Sequence, residues 1–284
     1  MFEITQNNKI APDIFRLTVS APRVAEKFQA GQFIVLRSME DSERIPLTVL
    51  DADRDAGTIT LIVKAIGFST RKLCGLAVGD TISDLLGPLG IPSEIDLFGN
   101  VAIVGGGVGT AVAFAVAKTL QLAGNQITAI LGARDQSFFI LEKEFQEISE
   151  QVYPCTDDGS YGYKGFVTQR LQELLDDGVR FDRVITAGPL PMMRIVADIT
   201  RPYQIKTIVS LNPIMVDGIG MCGGCRALVG GKIVFVCVDG PEFDAHQVDF
   251  ESLMRRNNAY RSKEQEADHA CKVDEKLAEM QSDE

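Results

Sequence analysis

Val101-Ala-Ile-Val104-Gly105-Gly106-Gly107-Val108-Gly109-Thr110-Ala111 joins an apolar run, a glycine loop and the start of a helically spaced segment that continues to Ala123. Apolar residues in sequence, without polar alternation, predict a strand covered on both faces. Glycines without side chains let the backbone approach a pyrophosphate, and the helix that follows aims its first amides at the same place. The loop departs from G-x-G-x-x-G because Thr110 stands where the last glycine would be. Taken by itself, such a unit is also compatible with a tight turn.

Toward the C-terminus the alternation continues. Ile127-Thr-Ala-Ile-Leu-Gly132 predicts a second buried strand, and Phe145 to Glu150 the end of a helix. Val167 to Leu175 predicts a helix, Arg183-Val-Ile-Thr-Ala-Gly188 a strand and Met192 to Thr200 a helix. Lys206-Thr-Ile-Val-Ser-Leu211 would be the last strand. Strands alternating with helices indicate βαβ units, hence a doubly wound parallel sheet. Gly132-Ala-Arg134-Asp135, Thr156-Asp157-Asp158-Gly159-Ser160 and Ala187-Gly188-Pro189-Leu190-Pro191 then fall on the strand ends where such sheets bind ligands. Arg134 suits a ribose 2′-phosphate, whereas Asp135 or Asp157 suits a 2′-hydroxyl, so the residues leave NAD and NADP both open.

Toward the N-terminus the pattern is different. Phe15–Ser20, Gln32–Arg37, Pro46–Leu50 and Thr58–Lys64 are rich in β-branched and aromatic residues, with Gly, Pro or Asp clusters between them. They predict a small antiparallel β-barrel. Arg44-Ile-Pro46-Leu47-Thr48 offers a guanidinium suited to phosphate and a hydroxyl four residues on. Lys64-Ala-Ile-Gly67-Phe-Ser69-Thr70-Arg71 offers a glycine and two hydroxyls beside backbone amides. Either motif alone reads as an ordinary turn with capping Ser and Thr; their order ahead of a dinucleotide domain is what makes them flavin candidates.

Beyond the last expected strand lies Asp217-Gly-Ile-Gly-Met-Cys222-Gly-Gly-Cys225, with Cys237 after it at the end of an expected strand Lys232-Ile-Val-Phe-Val-Cys237. The spacing D-x4-C-x2-C-x11-C matches the plant-type two-iron ferredoxin pattern with a carboxylate in the first position. A C-x2-C pair with a carboxylate also fits zinc. Glycines that let the loop wrap a cluster and donate amides to its sulfurs favour iron and sulfide. Cys74, Cys155 and Cys271 are isolated and read as small buried hydrophobes or tail thiols. His246 and His269 have no partners at metal-ligand spacing.

The chain has 284 residues and a net charge of −11. That charge disfavours nucleic acid and anionic membrane surfaces as partners. Val101 to Leu120, the most apolar long stretch, is interrupted by glycines and carries a lysine, which argues against a membrane span. Met1-Phe2-Glu3-Ile4 has no secretory pattern, and the cysteine usage suits a reducing compartment, so a cytoplasmic location is expected. The expected domains are a barrel at 1–97, an α/β nucleotide domain at 98–211, a cluster lobe at 212–250 and a charged tail at 251–284.

Barrel, dinucleotide domain and cysteine loop in this order resemble the ferredoxin–NADP reductase superfamily. The stretch Ser210–Arg226, followed by Cys237-Val-Asp239-Gly-Pro-Glu-Phe243-Asp244, is similar to electron-transfer subunits of the dihydroorotate dehydrogenase B type. It is more similar still to the small flavin subunits of NADH-dependent reduced ferredoxin:NADP⁺ oxidoreductases, whose cluster is held by one Asp and three Cys. The resemblance covers about residues 1 to 262. It implies a [2Fe–2S] cluster on Asp217, Cys222, Cys225 and Cys237. It implies FAD against Arg44, Pro46, Leu47 and Thr48 and against Gly67, Ser69 and Thr70. It also implies NAD(H) over Gly106, Gly107, Gly109 and Thr110, with Arg134, Asp157 and Gly188 nearby. In the superfamily's Arg-x-aromatic-Ser/Thr motif, aligning the hydroxyl on Thr48 puts Ile45 in the arginine position, so Arg44 is offset by one residue. The function implied is electron transfer between NADH, FAD and the cluster, in a heterodimer with a larger flavin and iron–sulfur subunit that reaches ferredoxin and NADP⁺, with bifurcation at the partner's flavin. Alternatives are an electron-transfer subunit for dihydroorotate or sulfide oxidation, or a nucleotide-binding module with structural zinc.

Overall fold

In the first 90 residues the strands are rich in buried β-branched and aliphatic side chains, and each pairs antiparallel with its neighbours. The computed structural model describes residues 2–40, 42–264 and 266; His269, Cys271 and most of the expected tail lie outside them. The chain runs through β1 (Phe2–Ala11), β2 (Ile14–Ser20), α1 (Pro22–Lys27), β3 (Phe33–Arg37), β4 (Ile45–Asp53), β5 (Thr58–Lys64), α2 (Phe68–Cys74), β6 (Thr81–Ile82) and β7 (Asp84–Leu89). The sheet order is β6-β1-β2-β5-β4-β3-β7. Its two outer strands are separated in the chain by Ser83 alone, so one continuous segment closes the sheet into a barrel. Leu17, Val19, Ile34, Leu36, Val49, Ile59 and Leu61 fill the interior.

The second sheet is built from β8 (Asn100–Gly106), α3 (Gly109–Leu122), β9 (Gln126–Ala133), α4 (Glu142–Ile148), β10 (Gln151–Thr156), β11 (Tyr163–Lys164), α5 (Val167–Asp176), β12 (Arg183–Ala187), α6 (Leu190–Thr200) and β13 (Lys206–Ser210). All of these strands pair parallel. Val101 and Ile103 pack with α3 and α4, while Ala102 and Val104 pack with α5 and α6. Covering on both faces is why β8 carries an unbroken apolar run. Burying each Val or Ile contributes about 1.5–3 kcal/mol, which anchors the glycine loop that follows. From β8 the chain winds outward to β11, then returns to the other side of β8 at β12. The strand order therefore reverses between β8 and β12, and ligands bind at such a reversal in doubly wound sheets.

The remainder comprises β14 (Arg226–Val229), β15 (Lys232–Phe235), α7 (Val236–Asp239), β16 (Glu242–Asp244) and α8 (Phe250–Asn257). Three expectations change here. The strand expected to reach Cys237 stops at Phe235, whose amide donates to Asp239 Oδ2 at 2.6 Å, and Cys237 lies in the helical turn α7. β13 is not the last strand of the sheet, because β16 pairs antiparallel along its outer edge. The helix expected to end near Glu150 is α4, which the chain leaves at Ser149 for an extended conformation. α8 spans the boundary expected between lobe and tail, and its Phe250 and Leu253 pack into the lobe's core beside Cys225 and Cys237. Barrel and sheet meet where Ile14, Leu50 and Ile62 join the core under α3, beside an ion pair of Lys118 Nζ with Asp51 at 2.7 Å. No helix among the described residues is long and apolar enough to cross a membrane.

Candidate functional site

Two cavities, of about 500 Å³ and about 380 Å³, open at the reversal point. Gly106, Gly107, Val108 and Pro189 line both, as does Lys64 from the end of β5, so together they form one trough between barrel and sheet. Gly107 takes a positive φ of 55°, which a side chain would resist, and its amide bonds Gly132 O at 2.8 Å. At Gly109 the constraint is proximity: a Cβ there would sit 2.4 Å from the carbonyl oxygen of Ala187. The start of α3 thus packs directly on the end of β12.

The smaller cavity brings Pro46, Leu47 and Thr48 of β4 together with Gly106, Gly107, Gly109 and Gly188. Phe33, Asn212, Met215 and Pro241 complete its wall toward the cysteine lobe. The larger cavity brings Arg134 and Asp157 together with Phe138 and Phe166. Thr110 is buried behind the loop, and its amide bonds Gly107 O at 3.1 Å. Arg44 is exposed ahead of β4 and does not line the cavity that takes in Pro46, Leu47 and Thr48.

Gly67, Ser69 and Thr70 stand at the start of α2 and line neither cavity. Thr70 Oγ1 accepts from the amides of Ile66 and Gly67 at 3.1 and 3.0 Å, so its hydroxyl caps the helix. Ser69 Oγ donates to Glu43 at 3.3 Å. Cys155 is fully buried under α5 and α6, where burial pushes its thiol up to about 12; it lines neither cavity. Sequence reasoning missed Lys64, which ends a strand and so reads as a solvated terminus. Its one signal was a position directly ahead of the Gly67 turn.

The cysteine loop is held by side chains rather than by strand pairing. Asp217 accepts from the amides of Ile219 at 3.0 Å and Cys222 at 2.5 Å. Those amides, Ile219 first, hold its carboxyl below the usual range. Arg226 and Arg256 donate to the carbonyls of Gly223 and Gly224 at 2.8 and 3.0 Å. The Cys225 and Cys237 sulfurs lie 3.3 Å apart in the lobe's core, while Cys222 is exposed. Among the described residues, no group of three or more His, Cys, Asp or Glu side chains is arranged to hold a metal ion.

The donor chemistry does fit an iron–sulfur cluster. Two sulfurs are side by side, and amides point at sulfur from Gly224 to Cys222 at 3.4 Å and from Cys237 to Cys225 at 3.5 Å. Such amides help set a cluster's potential. Burial, reinforced by Cys225, pushes the Cys237 thiol up to about 12, so loading must release protons.

An oxidoreductase NAD-binding domain matches residues 103–198, and the iron–sulfur cluster binding domain of dihydroorotate dehydrogenase B matches residues 212–249. A Thermotoga maritima homologue of the dihydroorotate dehydrogenase B electron-transfer subunit is 47% identical over 262 residues, 92% of each chain. The chain belongs to the family of dihydroorotate dehydrogenase B electron-transfer subunits. A Geobacillus member of that family is 34% identical over 86% of this chain and 96% of its own. Among solved structures, an NADH-dependent reduced ferredoxin–NADP oxidoreductase, studied for flavin-based electron bifurcation, superposes with a TM-score of 0.91 at 44% identity, covering 96% of this chain and 98% of that one. Phthalate dioxygenase reductase, at 16% identity and a TM-score of 0.59, shares the fold over 80% of this chain and 85% of its own. In the family's terms, the trough lies in the NAD-binding domain and against the barrel, and the cysteine loop is its iron–sulfur domain.

Proposed function

We propose that this family member is the small electron-transfer subunit of a heterodimeric NADH-dependent reduced ferredoxin:NADP⁺ oxidoreductase. The observation that carries the reading is continuity. One trough runs from the Gly106–Gly109 loop to Met215, and Met215 packs in the same apolar cluster as Cys225 and Cys237. In this reading NAD(H) lies over Gly106, Gly107 and Gly109, and FAD lies against Pro46, Leu47 and Thr48, with Gly188 facing both. The [2Fe–2S] cluster takes Asp217, Cys222, Cys225 and Cys237. When bound, FAD supplies the conversion between the two-electron chemistry of NADH and the one-electron chemistry of the cluster.

The chain's own residues do the positioning. The Gly107 turn and the first amides of α3 receive a pyrophosphate, and Lys64 faces it across the trough as a cation from the barrel. Thr48 offers a hydroxyl to the ring system, and Phe33 and Met215 keep water out of the passage toward the thiols. Gly67, Ser69, Thr70 and Arg44 remain candidates for the flavin's far end, through the backbone at the start of α2 and the exposed guanidinium. Val216, Ile219, Met221 and Val238 are exposed around Cys222, and this apolar rim supports docking of the larger flavin and iron–sulfur subunit, through which ferredoxin is reached. Asp217 in place of a fourth thiolate favours this complex over a four-cysteine dihydroorotate type. The reading places the protein in the cytoplasm, where its free thiols stay reduced.

Anaerobic reconstitution with iron, sulfide and FAD should give flavin and cluster absorption, and NADH should bleach both. A chain that stays colourless after reconstitution would sink the proposal.

A further inference from the structure

Two guanidiniums reach the cysteine loop, and both bond to its backbone. Arg226 Nη1 donates to the Gly223 carbonyl at 2.8 Å, and Arg256 Nη2 donates to the Gly224 carbonyl at 3.0 Å. Among the described residues, no carboxylate pairs with either of them. In a chain of net charge −11, two cations aimed at loop carbonyls without a counter-ion call for a reason.

The place of Arg226 is built into the fold. It opens β14 and pairs across the hairpin with Phe235. Gly223 has a φ of 63°, and a Cβ there would stand 2.9 Å from Arg226 Nη1. Glycine therefore both permits the turn and leaves room for the guanidinium. The Gly223 carbonyl and the Gly224 amide are opposite ends of one planar peptide. That amide donates to Cys222 Sγ at 3.4 Å. A cation bonded to the oxygen of a peptide polarises its N–H, and the bond from N–H to sulfur strengthens. Arg256 bonds the next peptide, whose N–H belongs to Cys225 instead.

We infer that Arg226 is a positioning residue that makes the cluster easier to reduce, acting through the Gly223–Gly224 peptide on the Cys222 sulfur. The inference rests on the cluster reading of this loop. One electron passed from the flavin adds one negative charge to the cluster, and a stronger N–H donor at sulfur stabilises that charge. Arg226 is itself exposed, so water and salt screen its direct field. The bonded peptide is not screened in that way. Cys222 is the exposed thiol of the three, so the strengthened bond lies on the outward side of the loop.

Redox titration of the flavin- and cluster-loaded protein, followed by electron paramagnetic resonance, tests this. Arg226→Gln keeps a donor and loses the charge; it should make reduction ~10-fold less favourable, a fall of about 59 mV for one electron. The fall should persist at high salt and should exceed that of Arg256→Gln, while Arg226→Lys should stay close to wild type. Arg226→Gln with an intact cluster spectrum and an unchanged potential would overturn the inference. So would a fall that vanishes at high salt or that Arg256→Gln matches, since either would reduce the effect to charge acting through space. If Arg226→Gln does not load, the wild-type protein with nitrogen-15 in its glycines decides: a reduced cluster without coupling to a glycine nitrogen overturns the inference, and one with it supports it. A wild-type chain that takes up no cluster would remove the cluster reading itself.

Discussion

The glycine loop after β8 and the glycine loop after β13 both leave the same edge of the same sheet, and they are held in opposite ways. The first is fixed by backbone: Gly107 bonds across to Gly132 O, Thr110 bonds back to Gly107 O, and Gly109 rests on the Ala187 carbonyl. The second is fixed by side chains, through the Asp217 carboxylate, the Arg226 and Arg256 guanidiniums and two neighbouring thiols. A loop built from backbone is complete before any ligand arrives, and steric intrusion is what damages it. A loop built from titrating side chains reaches its working form only when protons leave and a ligand enters.

The largest expected effect breaks the first loop by intrusion. In Gly109→Ala the new Cβ meets backbone that cannot rotate away, so α3 must part from β12. Nucleotide binding should be lost and stability should fall by ~1–3 kcal/mol, as for an overpacked core. Gly107→Ala, with open space but a positive φ, should cost only ~1–2 kcal/mol. Equal losses in chemical denaturation would refute the difference.

Next in size is a test of the second loop. Asp217→Cys should retain a [2Fe–2S] spectrum with a displaced midpoint potential, because ligand identity tunes the cluster. An unchanged potential in redox titration would remove Asp217 from the ligand set.

The smallest effect concerns the ground between the loops, where Ser93 Oγ donates to Glu242 on β16 at 2.8 Å. Burial raises the Glu242 carboxyl above its ordinary 4.5, outweighing the Ser93 bond and the Arg183 charge. The folded state thus holds this proton more tightly than the unfolded one. Its contribution to stability is fully present below the ordinary value and is lost as pH rises through the raised one. Glu242→Gln should therefore gain stability relative to wild type as pH climbs through that window, with the Ser93 bond retained. Parallel pH profiles of thermal unfolding for the two proteins would show that the carboxyl is not perturbed.

Much of this was legible from local pattern. Val101–Val104 is apolar because helices cover both of its faces, and the cysteine spacing follows from one loop. Long-range pairing was not legible. β16 is only Glu242-Phe-Asp244, too short for alternation to show, and it becomes a strand because the edge of β13 is free to pair. The run Lys232–Cys237 reads as a single strand until Asp239 bonds the Phe235 amide and turns the chain. Lys64 is ordinary at a strand end, and its importance comes from what the sheet places opposite it across the trough.

The position of β16 has one further consequence. The chain leaves the sheet at Ser210, forms the cysteine loop with its β14–β15 hairpin, and returns to the same edge at Glu242 before α8 closes over the lobe's core. The lobe is moored at both ends, where a module joined through a single linker would be free to swing. Electron passage between trough and thiols then waits on no diffusive swing, and its range is a constant of the architecture. Whatever docks outside the rim can be exchanged without altering the wiring within.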